Sequence, residues 1–298
     1  MTPNNQLLED WWPDEFLAAI IEKYSDNVEA VILYGSWLRG KRDTLPDFYV
    51  IFTDYNQLSS LWQKVANRLL EPNVYQLSLS KRNVQCSAKY ATISLKHLVK
   101  KTTTGFHPYV WARFSQPSRI LYTKNEKARN TVDALIGLSE KRMMTEALGT
   151  CPKSFTSRQL WETALTLTYG VELRAESKDK IMLIVEQHQD YFESKVAEHS
   201  DTLELSETGN NEWTFECSDK YRLKTKLRWK IRRILGIFLS IARLLKATTT
   251  FNQPLEYLLW KIERHTGIKE NATALQLKYP LIFSWPLIWK IFRRGGFK

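Results

Sequence analysis

The sequence predicts an α+β fold: a mixed sheet flanked by helices to about residue 123, then a mainly helical region to the C-terminus. Three observations predict it. Val28 to Tyr34 and Asp47 to Thr53 are short, β-branched apolar runs of the kind that form buried strands. From Asn125 onward helical spacing replaces alternation. The charge changes as well: Asp219 to Lys298 holds 18 Lys or Arg against Asp219, Glu256, Glu263 and Glu270, while the rest of the chain is slightly acidic. The expected organisation is therefore three parts, residues 1–123, 124–218 and 219–298.

Within the first part, Leu58 to Leu70 has helical apolar spacing, and Val74 to Leu79, Lys89 to Leu95 and Arg119 to Tyr122 read as further strands. Asn125 to Leu148 reads as a helix. Thr156 and Gln159 form a capping box, with Phe155 and Leu160 as its hydrophobic staple, so a second helix is expected from there to about Arg174. A third is expected over Lys178 to Val196. Gly209-Asn210-Asn211 between Thr202–Glu207 and Glu212–Cys217 signals a hairpin, giving a small winged-helix-like element. Lys220 to Lys246 and Pro254 to His265 complete the helices.

Cys86, Cys151 and Cys217 are odd in number and widely spaced, which excludes a disulfide framework and suits a reducing compartment. Met1 to Glu15 has no signal-peptide or transit pattern, so a bacterial cytoplasmic location is expected. The most apolar run, Ile234 to Leu245, is about a dozen residues where roughly 20 are needed to span a bilayer. Two segments mix aromatic and cationic residues in the manner of an interfacial element. In Leu281 to Arg294 these are Trp285, Trp289, Lys290, Phe292, Arg293 and Arg294, expected to meet the inner face of the cell membrane peripherally. For Arg228 to Lys246 two readings stay open, interfacial helix or core helix. The five histidines show no ligand spacing and are read as structural or solvated.

The feature that carries chemistry is Gly35-Ser36 at the end of one strand and Asp47 at the start of the next. A strand ending in Gly-Ser lets backbone N–H groups and a small hydroxyl approach phosphates. An adjacent aspartate can hold Mg²⁺ by hard oxygen ligation. Such a cradle suits transfer of a nucleotidyl group, where two polyanions must meet; a plain strand-to-loop turn is the competing reading. The pattern is that of the polymerase-β-like nucleotidyltransferase superfamily, with one departure. Tyr49 stands where a second carboxylate is usual, and no Asp or Glu occurs between Pro72 and Lys124. Asp54 and Glu172 are the remaining candidates for a second metal ligand. Either the chain is catalytically dead or its reaction needs fewer carboxylates.

Beyond this motif the chain resembles the mitochondrial translocator assembly and maintenance family, the soluble phosphatidate cytidylyltransferases. Tyr34-Gly35-Ser36 is similar to that family's Tyr-Gly-Ser, and Leu45 to Phe48 to an Asp-Phe segment that also lacks the second acid. Lys89-Tyr90 resembles a Lys-Tyr-Gly with Ala91 in the glycine's place. Tyr109 to Pro117 resembles Tyr-x-Ala-Gly-Arg-x-x-Lys-Pro. Phe155 to Arg174 follows a helix ending Tyr-x-Gly-Asp-x-Arg, here Tyr169, Glu172 and Arg174, and Lys180 falls in an Asn-Lys-Val-like segment. The resemblance spans about residues 28–190, with a weaker echo at Ile262 to Thr266. The family's C-terminal Lys-Gly-x-x-Thr-Ala-Gly element is absent.

The resemblance implies transfer of CMP from CTP to phosphatidic acid, giving CDP-diacylglycerol and pyrophosphate with Mg²⁺ as cofactor. It implies Asp47 and Lys89 as catalytic residues, Asp47 also as metal ligand, and Gly35, Ser36, Tyr90, Arg113, Arg174 and Lys180 around the nucleotide. The missing acid then has a physical reading, because a phosphate monoester is already ionised near neutral pH and needs no strong general base. Positioning and charge neutralisation suffice. The alternatives are a nucleotidyltransferase of this fold acting on RNA or a small molecule, and a non-catalytic membrane-binding relative. Aromatics interleaved with the tail's cations favour lipid over nucleic acid.

Overall fold

The computed structural model describes residues 14–40, 44–55, 71–81, 84–172, 177–209, 212–247, 267–278 and 283–294, together with Leu255, Leu259 and Glu263. The helix expected over Leu58 to Leu70 lies outside the described residues, as does Arg174. After helix α1 (Asp14–Tyr24) come strands β1 (Val28–Tyr34), β2 (Asp47–Phe52), β3 (Asn73–Lys81) and β4 (Val84–Ser94). Helices α2 (Leu95–Thr103) and α3 (Trp111–Phe114) lead to β5 (Ser118–Thr123) and the long helix α4 (Glu126–Leu148).

The five strands form one mixed sheet in the order β3-β4-β2-β1-β5. Only the β2–β4 pair is parallel; β1 runs antiparallel to β2 and β5, and β3 to β4. Side chains alternate across a strand, so β1 and β2 build two cores at once. Val31, Leu33, Phe48 and Val50 pack with Phe16 and Ile20 of α1 on one face. Ala30, Ile32, Tyr49 and Ile51 pack with Leu98 of α2, Phe114 of α3 and Val132 of α4 on the other. Burial on both faces is why these strands read as continuous apolar runs.

Asn125 caps α4, its side chain accepting from the Ala128 N–H at 2.8 Å. Next come β6 (Ser154–Thr156), α5 (Ser157–Tyr169), α6 (Lys178–Gln187) and α7 (Gln189–His199). The capping box at Thr156 and Gln159 is present as expected, with Phe155 and Leu160 buried. Two expectations are corrected. Helix α5 ends at Tyr169 with Gly170 as its cap, short of Arg174. The helix expected over Lys178 to Val196 breaks at His188, whose ψ of 34° interrupts the helical path and lets α6 and α7 pack separately against α5. The hairpin strands are shorter than expected, β7 (Ser206–Gly209) and β8 (Glu212–Thr214), and β6 joins them in a three-stranded sheet ordered β6-β8-β7.

The basic helix α8 (Asp219–Ala247) lies on α4. Arg232 is fully buried and grips Glu146 with two hydrogen bonds of 2.8 Å, while its Nε donates to the Phe106 carbonyl at 2.8 Å. Trp229 Nε1 donates to the Glu146 carbonyl at 2.8 Å, and its ring lies beside the Arg232 guanidinium. Gly236 brings α8 against the end of α5, where a Cβ would collide with the Val171 carbonyl oxygen. This face packs α8 onto the core. Its opposite face is apolar too, with Leu223, Leu227, Ile231, Ile234, Leu235 and Phe238 exposed. No helix is long and apolar enough to cross a membrane among the described residues. Short helices α9 (Ala274–Lys278) and α10 (Trp285–Arg293) follow, α10 burying Leu287 and Ile291 against Leu255 and Leu259.

Candidate active site

The β1–β2 pairing sets Tyr34 opposite Asp47, and the parallel β2–β4 register sets Asp47 beside Lys89. Gly35 follows at a φ of 86°, in the left-handed region that only glycine enters at little cost. A Cβ there would lie 3.3 Å from Asp47 Oδ2, so the glycine also keeps the space over the carboxylate open. Ser36 begins a short 3₁₀ turn, and its hydroxyl bonds that of Thr44 at 2.8 Å. Trp37 Nε1 donates to the Thr44 carbonyl at 3.0 Å, which ties the far end of the loop to this turn.

Burial raises the Asp47 pKa, while Lys89 and Arg113 pull it down. A desolvated carboxylate facing two cations is a group whose charge a further cation would stabilise. Arg113, on α3, reaches the same face of the sheet and pairs with Glu172 at 3.0 Å. Burial lowers the Arg113 pKa, but Tyr109, Glu172, Tyr34 and Tyr49 outweigh it and hold the guanidinium charged. Tyr34, Tyr49 and Phe114 pack behind, their rings tilted and successive centroids 4.8 Å apart. A cleft beside them is lined by His107, Tyr109, Arg113, Gln116, Tyr169 and Glu172.

The sequence-predicted residues divide accordingly. Gly35, Ser36, Asp47, Lys89, Arg113 and Glu172 gather around the strand ends that face α3 and the end of α5. Tyr90 does not join them. It follows Lys89 by one residue on a strand, so it points through to the α1 face, 1% exposed, with its hydroxyl bonded to that of Tyr24 at 2.9 Å and accepting from the Lys23 ammonium at 3.1 Å. Asp54 lies past the opposite end of β2, roughly 20 Å of strand away from Asp47, and cannot share its ion. Lys180 stands in the first turn of α6. In α10, Trp289 is 54% exposed and Arg293 exposed, whereas Lys290 and Arg294 pair with Glu270; the Phe292 side chain lies outside the described ones.

Two features had no sequence signal. Arg243 of α8 lies over the Tyr109 ring, 3.8 Å from its centroid. Far from the strand ends in sequence, Glu140, Glu198 and His199 bring one donor atom each within 4.8 Å of one another, an arrangement that could hold a metal. Lys195 stands between these carboxylates, 3.2 Å from Glu140 and 2.8 Å from Glu198. Its ammonium already supplies a cation there; a metal at the strand ends would have Asp47 as its ligand. One carboxylate is an adequate protein share for Mg²⁺, which keeps waters and takes substrate phosphates as its other ligands.

A mixed sheet with a Gly-Ser turn over a carboxylate, and cations on the adjoining strand and helix, is the arrangement expected of a nucleotidyltransferase. The family described as phosphatidate cytidylyltransferase, mitochondrial, matches residues 43–228, well over half of the chain. The protein belongs to that family. No curated protein matches the sequence. A solved structure described as a nucleotidyltransferase-like protein from Exiguobacterium sibiricum 255-15 aligns with 95% of this chain and 91% of its own, at 12% identity and a TM-score of 0.28.

Proposed function

We propose that the protein transfers CMP from CTP to the phosphate of phosphatidic acid, releasing pyrophosphate and forming CDP-diacylglycerol at an anionic membrane surface. The observation that carries the reading is the lone unpaired carboxylate: Glu172 is taken up in its ion pair with Arg113, which leaves Asp47, among the described residues, as the acid on the strand ends themselves, flanked by Lys89, Arg113 and the open Gly35 turn. Such a site neutralises charge well and deprotonates poorly, which matches an acceptor that is already an anion.

In this reading the Gly35-Ser36 turn receives the triphosphate, its backbone N–H groups and the Ser36 hydroxyl donating to phosphate oxygens. Asp47 would hold a divalent ion, which would neutralise the α-phosphate as pyrophosphate departs. Lys89 and Arg113 offset the charge of the incoming phosphomonoester and keep it in line with the α-phosphorus. The acceptor oxygen forms the new P–O bond, and the bond to pyrophosphate breaks. Arg174 and Lys180 remain proposed nucleotide contacts. Cytoplasmic placement and peripheral membrane contact belong to the same proposal, with Trp289 and Arg293 of α10 and the outer face of α8 as the contacting groups. On α8 the exposed apolar residues recur at helical spacing beside Lys220, Lys224 and Lys230, which suits headgroup and acyl layers together.

The test offers the purified protein CTP, Mg²⁺ and one of three acceptors: phosphatidate vesicles, a water-soluble short-chain phosphatidate, or RNA. Both lipids are expected to be cytidylylated, with vesicle turnover falling as salt rises. Labelled RNA with unlabelled lipid would refute the reading.

A further inference from the structure

We infer that Arg243, on the part of α8 that lies beyond the sequence matched to the family, forms with Arg113 and the Tyr49 hydroxyl a binding site for a phosphate oxyanion. The chain of α8 reaches this point because Gly236 lets it touch Val171, and Arg243 follows about two helical turns later. Arg243 and Arg113 both lie over the Tyr109 ring, at 3.8 and 4.7 Å from its centroid. Two guanidinium groups thus share one aromatic ring.

Their charge is not balanced. Glu172 is the carboxylate that acts on Arg243, and its Oε1 is taken by Arg113 at 3.0 Å. Hydrogen bonding is incomplete in the same place. Nε and Nη1 of Arg243, Nε of Arg113 and the hydroxyl of Tyr49 are buried with no hydrogen-bond partner among the described residues. Tyr49 itself is 1% exposed. Buried donors left unmet are costly, and a buried unpaired guanidinium more so. One doubly charged anion with several acceptor oxygens would answer both deficits. A phosphate group fits, since arginine forks match its geometry. His107 beside them does not supply the missing charge: burial first, then Arg243, Arg232 and Lys101, push its pKa down to about 3, so the imidazole is neutral.

Arg243 is also lowered in pKa by burial, the direction expected of a cation without its counterion. The site stands on the geometry alone; the proposed reaction enters only in naming whose phosphate it holds. That phosphate belongs either to the nucleotide or to the acceptor lipid.

The experiment uses full-length protein, without metal or nucleotide, and inorganic phosphate as the probe in thermal melts. Phosphate is expected to raise the wild-type melting temperature. In Arg243→Gln the half-saturating phosphate concentration should rise about tenfold, with Arg243→Lys between the two and Lys226→Gln, elsewhere on α8, like wild type. Without phosphate, Arg243→Gln should melt no lower than wild type, because it removes an uncompensated buried charge. An Arg243→Gln protein that melts lower in plain buffer, or that answers phosphate as wild type does, overturns the site and leaves Arg243 as packing. Turnover assigns the source: a raised KM for CTP alone marks the nucleotide, and a raised KM for phosphatidate alone marks the lipid. If neither lipid is cytidylylated but phosphate still stabilises through Arg243, the proposed reaction has failed and the anion site has not.

Discussion

Asp47→Asn is expected to leave the protein folded and to lower turnover by roughly a thousandfold, the effect of losing several kcal/mol of transition-state charge stabilisation. Asparagine keeps the size of the side chain between Gly35 and Lys89 but gives a metal no anionic oxygen. Asp47 is desolvated, which raises its pKa, so removing its charge relieves a cost in the folded state. The melting temperature should therefore be unchanged or slightly higher. Near-wild-type turnover with an unchanged melting curve would remove Asp47 from the site. Loss of both activity and stability would assign it a structural role.

The largest effect on stability is expected at Glu146. Its carboxylate is 8% exposed and accepts from Arg232, itself fully buried, and from Arg228. Glu146→Ala strands the Arg232 charge between Phe106, Trp111 and Trp229, a change that costs about 3–5 kcal/mol. The melting temperature should fall by on the order of ten degrees. Pairing Glu146→Leu with Arg232→Met should recover much of this, because no charge is then left unpaired. Acid acts on the same pair. Burial raises the Glu146 pKa, but the Arg232 hydrogen bonds and the charges of Arg232, Arg228 and Arg142 outweigh it, leaving it below its ordinary value of 4.5. The carboxylate's stabilising contribution is thus complete above about pH 4.5 and is lost as pH falls through the lower folded value. An alanine variant that melts like wild type would show that α8 is held by other contacts.

What the sequence reveals is what short-range physics decides. β1 and β2 declare themselves because both of their faces are buried, and Thr156 with Gln159 marks the start of α5 within four residues. Gly35 is legible because its left-handed turn favours glycine, and Asp47 because it is the acid that the next strand sets beside that turn. Tyr90 shows the opposite case. A motif places it beside Lys89, yet strand alternation, implied already by reading Lys89 to Leu95 as a strand, sends the two to opposite faces. The break at His188 and the recruitment of the three-residue strand β6 depend on partners from α5 and β8. Arg243 is less legible still. In the sequence it is one cation among many in α8, and only the close approach at Gly236 brings it to Tyr109. For α8 as a whole the sequence left core and interface open, and the helix presents an apolar face to each.

The central claim is that the α-phosphorus of CTP passes to the phosphate of a lipid. The most direct measurement follows CTP labelled at the α- or the γ-phosphorus, with phosphatidate vesicles and Mg²⁺, for wild type and Asp47→Asn. The account predicts α-label in an organic-soluble CDP-diacylglycerol, γ-label in pyrophosphate, and neither product with the variant. Pyrophosphate release without labelled lipid, or lipid labelling that survives in Asp47→Asn, would contradict it.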